Sequence, residues 1–155
     1  MLRIFQVEND KDFTLVTTLF VEYADSLGFD LGFQDFEQEC THLAEHYAPP
    51  GGCLLLAIYK GKPAGCVAMR KFSDGICEMK RLYVRPNFRA QGIGRALAQA
   101  VIEGAQKAGY DFMRLDTIPS MEVANALYKS LGFRDIEPYR YNPIEGARFL
   151  ELKLT

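Results

Sequence analysis

A glycine-rich stretch between a strand-like run and a helix-like run carries the residues best suited to chemistry. The sequence Arg-Ala-Gln-Gly-Ile-Gly at 89–94 follows the strand-like run 76–84 and opens the helix-like run 92–109. The first four N–H groups of a helix have no partner within it, and the helix dipole adds partial positive charge there. Arg89 and Arg95 add planar cationic donors. The pattern therefore predicts a phosphate site, most simply for a cofactor that carries a diphosphate.

Two familiar phosphate motifs do not fit this turn. A dinucleotide-binding turn requires a third glycine, where this chain has Leu97. A phosphate loop requires Gly-Lys-Ser/Thr, whereas Gly94 is followed here by Arg95 and Ala96. A glycine pair also makes ordinary loop-to-helix corners, so the turn alone leaves a purely structural role open.

Two longer motifs resemble the GNAT superfamily of N-acetyltransferases. Residues 77–86, Cys-Glu-Met-Lys-Arg-Leu-Tyr-Val-Arg-Pro, with 88–97 resemble its core motif, a strand ending in Leu-Tyr-Val-x-Pro and then Arg/Gln-x-x-Gly-x-Gly. Residues 124–133, Ala-Asn-Ala-Leu-Tyr-Lys-Ser-Leu-Gly-Phe, resemble its second motif, A-x-x-L-Y-x-x-x-G-F. The resemblance covers roughly residues 54–133 in the family's order. One position departs, because Met121 stands where the family often has Asn.

The resemblance implies that the chain binds acetyl-CoA and transfers its acetyl group to an amine. The diphosphate would lie on the N–H groups of the turn, and strand peptide groups would pair with the pantetheine amides like an added strand. The motif contacts only what all CoA thioesters share, so acetyl and longer acyl donors both stay open. The implied cofactor-binding residues are Leu82, Tyr83, Val84, Arg89, Ala90, Gln91, Gly92, Ile93, Gly94, Arg95 and Ala96.

Two motif residues have side chains suited to acetyl transfer. The attacking amine must be neutral, so a base has to remove its proton directly or through water. Glu78 stands where the family often has a catalytic Glu and is the predicted base, with an ion pair to Lys80 or Arg81 as the alternative. Tyr128 matches the motif Tyr and is the predicted acid at the sulfur, because a phenol and a thiol have similar pKa values. A core aromatic role for Tyr128 is the alternative.

The acceptor site is expected between the first two helices and the last strands, as the resemblance implies. The predicted substrate residues are Phe29, Asp30, Tyr139 and Tyr141. An acid such as Asp30 could hold a cationic amine, and the aromatic rings could contact it through cation–π interactions. The same rings could instead pack at the edge of the core.

A second class of function requires the turn but not the catalytic side chains. A non-catalytic acyl-CoA-binding module that senses the cofactor or regulates a partner would need neither Glu78 nor Tyr128. The presence of both residues favours an enzyme. The resemblance also allows a homodimer, since dimers built through late strands are frequent in such folds.

Composition and charge narrow the class of protein. A chain of 155 residues suits a single domain over 1–155, and 48% hydrophobic with 25% charged residues is typical of a globular protein. A net charge of −2 argues against a general nucleic-acid or membrane-surface binder. No apolar run approaches the ~20 residues of a membrane span, and residues 1–10 lack a signal-peptide pattern, so a cytoplasmic location is the default prediction.

The cysteines predict free thiols rather than a metal site. None of the four has C-x-x-C spacing, and no His lies near them in a zinc pattern. Three of them fall in strand-like runs, where a thiol behaves as a small hydrophobic group. The expectation is no metal cofactor.

Hydrophobic periodicity and turn residues predict the elements that position these side chains. Lys60-Gly61-Lys62 and Ser73-Asp74-Gly75 are typical hairpin turns. The pattern predicts an α/β (α+β) domain with a mixed, mostly antiparallel sheet flanked by helices on both faces, and this order also matches a GNAT-like fold. The predicted elements are strands at 2–6, 53–59, 63–72, 76–84, 112–117, 134–137 and 149–153, and helices at 10–27, 33–47, 92–108 and 121–131.

Overall fold

One sheet organises the protein. In the computed structural model, which describes residues 1–32 and 35–155, seven strands lie in the order β1-β2-β3-β4-β5-β7-β6. Within these residues the β4–β5 pair is parallel and the other pairs are antiparallel, which confirms the predicted mixed, mostly antiparallel sheet. The strands are β1 Leu2–Gln6, β2 Cys53–Tyr59, β3 Lys62–Ser73, β4 Ile76–Val84, β5 Phe112–Thr117, β6 Arg134–Ile136 and β7 Arg148–Lys153.

Helices cover both faces of the sheet, as predicted. The first three pack with one buried apolar cluster, and the last two pack with another on the opposite face. In the described part of the chain, no helix combines the length and the apolar character needed to cross a membrane. The helices are α1 Asp10–Ser26, α2 Phe36–Thr41, α3 Leu43–His46, α4 Ile93–Lys107 and α5 Glu122–Leu131.

The prediction of one helix over 33–47 was wrong. Two short helices take its place, because His42 leaves the helical region with φ −126° and ψ 41°. Before the break, Glu39 points into the interior, and after it Leu43 and Tyr47 pack into the core. Residues 33 and 34, where the helix was predicted to begin, lie outside the described residues.

Both predicted hairpin turns are confirmed. Tyr59 pairs with Lys62, so Lys60 and Gly61 form a two-residue loop with φ values of 52° and 78°. Two left-handed residues are what a type I′ hairpin requires, and Gly61 meets this requirement at no steric cost. The strands on either side are thereby held in register.

The strand β4 pairs with β5 along only the first third of its length. The two strands pair only over residues 76–78 and 112–114. Beyond this point Arg81 and Leu82 together oppose the single residue Val67 of β3, and Arg81 has a φ of 59°. This two-against-one arrangement is a β-bulge, which bends the strand that carries it. The bend opens a gap between the carboxyl ends of the two strands.

The cysteines are free thiols, and three of them lie on strands. Cys66 and Cys77 are fully buried, and burial raises the pKa of the Cys66 thiol well above its ordinary value. They act as small core residues. In the described residues no three His, Cys, Asp or Glu side chains come together in a group that could hold a metal ion.

Candidate active site

The glycine-rich turn presents backbone N–H groups at the start of α4. Ala90 and Gly92 have φ values of 63° and 78°, and Gly92 caps the helix without a side-chain hydrogen bond. The N–H of Ala96 donates to the carbonyl of Gly92 at 3.1 Å. The N–H groups of the three residues between these two have no partner in the helix. The turn therefore offers a row of donors to an anion.

The two arginines of this region connect the turn to its neighbours. Arg89 Nε donates to the carbonyl oxygen of Val84 at 3.0 Å, and Arg95 Nη2 donates to Ser130 Oγ at 2.8 Å. Both side chains are exposed. A guanidinium carries five N–H donors, so each arginine has further donors for an anion on the turn.

Near its end, β4 directs some of its peptide groups away from β3. The N–H of Arg85 donates to the carbonyl of Ala64 on β3 at 2.8 Å. Because successive residues of a strand direct their peptide groups to opposite sides, Leu82 and Val84 direct theirs away from β3 and into the gap. Tyr83 instead pairs with Cys66 on β3. Of the strand residues predicted to pair with pantetheine, Leu82 and Val84 are oriented for it.

A cavity of about 60 Å³ lies where β4 and β5 separate. Its walls come from these two strands, from α5 and from the segment that follows α1. The volume is roughly four to six times what one water position needs, so the cavity suits small groups. Its polar lining includes Lys80, Arg81, Asp116, Thr117, Tyr128 and Asn142.

Tyr128 contributes its phenol to the wall of this cavity. The residue is 6% exposed, and its ring packs edge-on against Phe133 at 5.7 Å. Its hydroxyl has no hydrogen-bond partner among residues 1–32 and 35–155. Burial raises the pKa of Tyr128 well above its ordinary value, so the phenol stays protonated at neutral pH and can donate a hydrogen bond.

Glu78 is fully buried among hydrogen-bond donors and cations. Its Oε2 accepts from the Tyr139 hydroxyl and its Oε1 from Arg140 Nη2, both at 2.8 Å. Lys80 Nζ and Arg70 Nε each lie 3.7 Å from Oε1. An ion pair with Lys80 is therefore present, although it is buried, and both carboxylate oxygens are engaged.

A second buried carboxylate holds the bulge of β4. Arg81 donates from Nε and Nη2 to the two oxygens of Glu39 at 3.0 and 2.7 Å, and the Tyr47 hydroxyl donates to Oε2 at 2.6 Å. Burial alone would raise the pKa of Glu39, but the hydrogen bonds and charge of Arg81 outweigh it and lower that pKa. The pair fixes α2 against the strand that lines the cavity.

Comparison with known proteins assigns the chain to a family. The family model described as "Acetyltransferase (GNAT) family" matches residues 15–133. This chain belongs to the GNAT family. An N-acetyltransferase of Schizosaccharomyces pombe, itself uncharacterized, is 38% identical over 156 residues, which cover 99% of this GNAT chain and 96% of that protein.

Solved structures confirm the GNAT fold. A GNAT acetyltransferase of Staphylococcus aureus superposes with a TM-score of 0.83 at 20% identity, covering 100% of both chains. A Salmonella typhimurium protein described as an acetyltransferase, solved with its cofactor acetyl-CoA, superposes with a TM-score of 0.75 at 19% identity, covering 99% of this GNAT chain and 94% of that one. The predicted resemblance and fold class are thus both confirmed.

The residues predicted for the acceptor site of this GNAT protein are divided in space. Phe29 lines the cavity. Tyr139 packs edge-on against Phe149 at 5.4 Å and reaches Glu78 through its hydroxyl. Asp30 is exposed and accepts from the N–H of Gly32 at 2.8 Å, while Tyr141 is 72% exposed. Of these four residues, Phe29 lines the cavity, Tyr139 contacts Glu78 outside the cavity wall, and Asp30 and Tyr141 also lie outside that wall.

Sequence reasoning did not identify several polar residues of this GNAT site. Lys80 and Arg81 line the cavity, and Arg140 binds Glu78. One feature indicates these residues. Glu78, Lys80 and Arg81 are charged, yet they lie in a central strand that is covered on both faces. Charged side chains in such a strand must be paired or bind a ligand.

Proposed function

We propose that this GNAT protein transfers the acetyl group of acetyl-CoA to a primary amine. The observation that carries the proposal is a continuous path of suitable groups. It begins at the N–H groups in the first turn of α4, follows the peptide groups of Leu82 and Val84 that face away from β3, and ends in the cavity beside Tyr128. Its parts correspond in order to a diphosphate, a chain of amides and a thioester.

The cofactor end of this path suits acetyl-CoA. The diphosphate would accept hydrogen bonds from the N–H groups of residues 93–95 and charge-assisted bonds from Arg89 and Arg95. The pantetheine amides would pair with β4 as an added strand does. The acetyl-CoA in the Salmonella relative of the same fold supports this choice of donor.

The transfer itself requires one bond to form and one to break. The neutral amine nitrogen attacks the thioester carbon, the N–C bond forms, and the C–S bond breaks to release the CoA thiolate. Tyr128 donates a proton to that sulfur, since its hydroxyl is unpaired within the described residues and lies at the cavity. The proton lost from the amine leaves toward Glu78, and both side chains return to their starting states through solvent.

Glu78 receives the proton through an intervening water. Its oxygens already accept from Tyr139 and Arg140, and it contacts Lys80 of the cavity wall without lining the cavity itself. A direct contact with the amine would require one of these bonds to break. A water in the cavity needs no such rearrangement.

An assay of free thiol tests the proposal. Purified protein with acetyl-CoA and a panel of amines should release CoA in proportion to the amine supplied. Glu78→Gln and Tyr128→Phe should each lower kcat by about a hundredfold or more, as loss of general acid–base catalysis does. The dissociation constant of acetyl-CoA should stay unchanged, since neither side chain holds the cofactor.

Tyr110→Phe is the matched control for Tyr128→Phe. Tyr110 is also buried, it lies outside both motifs, and its hydroxyl donates to the carbonyl of Gly51 at 2.6 Å. Its loss should leave kcat unchanged. Tight acetyl-CoA binding without turnover of any amine would contradict the proposal and favour a non-catalytic acyl-CoA-binding module.

A further inference from the structure

Lys80 presents a buried ammonium group to the cavity. Its side chain is only 4% exposed, and it lies in the cavity wall. The ammonium nitrogen is 3.7 Å from Glu78 Oε1, beyond hydrogen-bond length, and it has no hydrogen-bond partner in residues 1–32 and 35–155. An ammonium carries three donors, so Lys80 can bind an anionic group in the cavity.

Positive charge is in excess around Glu78. Arg140, Lys80 and Arg70 all lie within 4 Å of this carboxylate. In addition, Arg140 Nε is buried and has no hydrogen-bond partner in the described part of the chain. One carboxylate cannot neutralise three cations. Burial lowers the pKa of Lys80 to about 8 although Glu78 opposes this, as expected for an incompletely paired buried cation.

The other acids near the cavity do not remove this excess. Glu39 forms a one-to-one pair with Arg81. Asp116 accepts from Asn142 Nδ2 at 3.0 Å and adds one negative charge to the cavity wall. Even with Asp116 counted, the cations beside Glu78 outnumber the acids that face them.

We propose that the acceptor amine carries a carboxylate close to its nitrogen, as amino acids do, and that Lys80 binds this carboxylate. The inference rests on the proposed acetyl transfer. The carboxylate would supply the oxygens that Lys80 lacks, and charge-assisted bonds of this kind are the strong ones. In an α-amino acid the amine is two bonds from the carboxylate carbon. A carboxylate held by Lys80 would therefore keep the amine close to the same cavity, which Tyr128 also lines.

Two other roles for Lys80 make different predictions. If Lys80 only balances the charge of Glu78, or if it stabilises negative charge on the thioester oxygen, its loss should impair every amine equally. Binding of the acceptor carboxylate predicts a loss confined to amines that carry one. The ratio of rates for an acid and its amide separates these roles.

The test compares common L-amino acids with their own amides as acceptors. For the wild-type protein, kcat/KM expressed per neutral amine should be at least about tenfold higher for the best amino acid than for its amide, the value of one charge-assisted hydrogen bond. Lys80→Met should bring this ratio close to one, mainly by raising KM for the acid. Lys80→Arg should restore part of the ratio, because the charge is retained.

Controls separate this effect from damage to the fold. Lys153→Met changes an exposed lysine at the end of β7 and should leave the ratio unchanged. Thermal unfolding and KM for acetyl-CoA should show that Lys80→Met folds and binds the donor, because Arg70 and Arg140 still face Glu78 when the Lys80 charge is removed.

Each result decides the question. Amides acetylated as fast as acids in the wild type, or an equal loss for both in Lys80→Met, would overturn the carboxylate inference and leave the proposed function intact. Absence of turnover with every acid, amide and simple amine would overturn the proposed function and this inference together.

Discussion

The proposed cofactor and acceptor sides of the site are built in different ways. The cofactor side comes from one continuous segment, 82–96, and offers mainly backbone groups. The acceptor side is assembled from side chains far apart in sequence, which are Glu39, Glu78, Lys80, Arg81, Tyr139 and Arg140. We therefore expect donor binding to depend on backbone conformation and acceptor choice to depend on buried charge.

Removal of the Glu39–Arg81 pair should have the largest effect. Glu39→Gln leaves the Arg81 guanidinium buried without its counter-charge, so the free energy of unfolding should fall by about 3–5 kcal/mol. Urea unfolding measures this. Asp135→Asn is the matched control, because Asp135 forms the same two-bond pair with Arg148 but is 68% exposed. Its loss should cost less than about 1 kcal/mol. Equal losses of unfolding free energy in the two variants would mean that burial does not make the Glu39–Arg81 pair more important than the exposed pair.

The effect of Glu39→Gln on stability should depend on pH. Although burial raises the pKa of Glu39, Arg81 lowers it below its ordinary value of 4.5. A lowered carboxyl pKa stabilises the fold above that ordinary value and ceases to do so as the pH falls through the folded value. The difference in unfolding free energy between wild type and Glu39→Gln should therefore shrink below about pH 4.5.

A backbone clash tests the cofactor side. A Cβ on Gly65 would collide with the carbonyl oxygen of Tyr83 and lie 3.2 Å from Leu97 Cδ1. Gly65→Ala should cost about 1–3 kcal/mol of unfolding free energy, and it should weaken acetyl-CoA binding because β4 must move. Gly104→Ala is the control, since its nearest neighbour is Cys53 Sγ at 3.9 Å. Because Gly104 lies in a helix, Gly104→Ala should raise the free energy of unfolding by about 0.4–1 kcal/mol.

The conformation of the turn itself gives a sharper test. Gly92 and Gly109 have φ values of 78° and 90°, and a Cβ on either would meet nothing within 4 Å. A left-handed residue with a side chain costs about 1–2 kcal/mol, so Gly92→Val and Gly109→Val should lower the melting temperature similarly. Only Gly92→Val should weaken acetyl-CoA binding, by about tenfold. Equal affinities in calorimetry would mean that the turn does not hold the donor.

The smallest expected effect is the change with pH in the preference for acceptors that carry a carboxylate. Lys80 is protonated below its pKa of about 8 and neutral above it. The acid-to-amide ratio of kcat/KM, with rates expressed per neutral amine, should be constant at low pH and fall above about pH 8. In Lys80→Met the ratio should be flat. A wild-type ratio that rises with pH would exclude a charged Lys80 as the carboxylate ligand.

The strand β4 and the glycine turn before α4 could be predicted from the sequence, whereas the cluster of charged side chains around Glu78 largely could not. A local motif contains Gly92, Gly94 and the strand before them. Their placement therefore depends on residues that are close together in the sequence. The bulge at Arg81 does not alter the hydrophobic pattern, and the approach of Arg140 to Glu78 depends on the path of the whole chain after α5. Several expectations stay predictions, namely the single domain, the cytoplasmic location, the homodimer and the roles of Glu78 and Tyr128.

Calorimetric titration with acetyl-CoA and with S-acetylpantetheine tests whether the N–H groups at the start of α4 bind the diphosphate. The two compounds share the thioester and the pantetheine amides, but only acetyl-CoA carries the diphosphate. If the N–H groups before α4 hold the diphosphate, acetyl-CoA should bind at least about tenfold more tightly, and Gly92→Val should reduce this difference. Equal dissociation constants for the two compounds, or no heat with acetyl-CoA, would show that the turn does not bind the diphosphate of a CoA thioester.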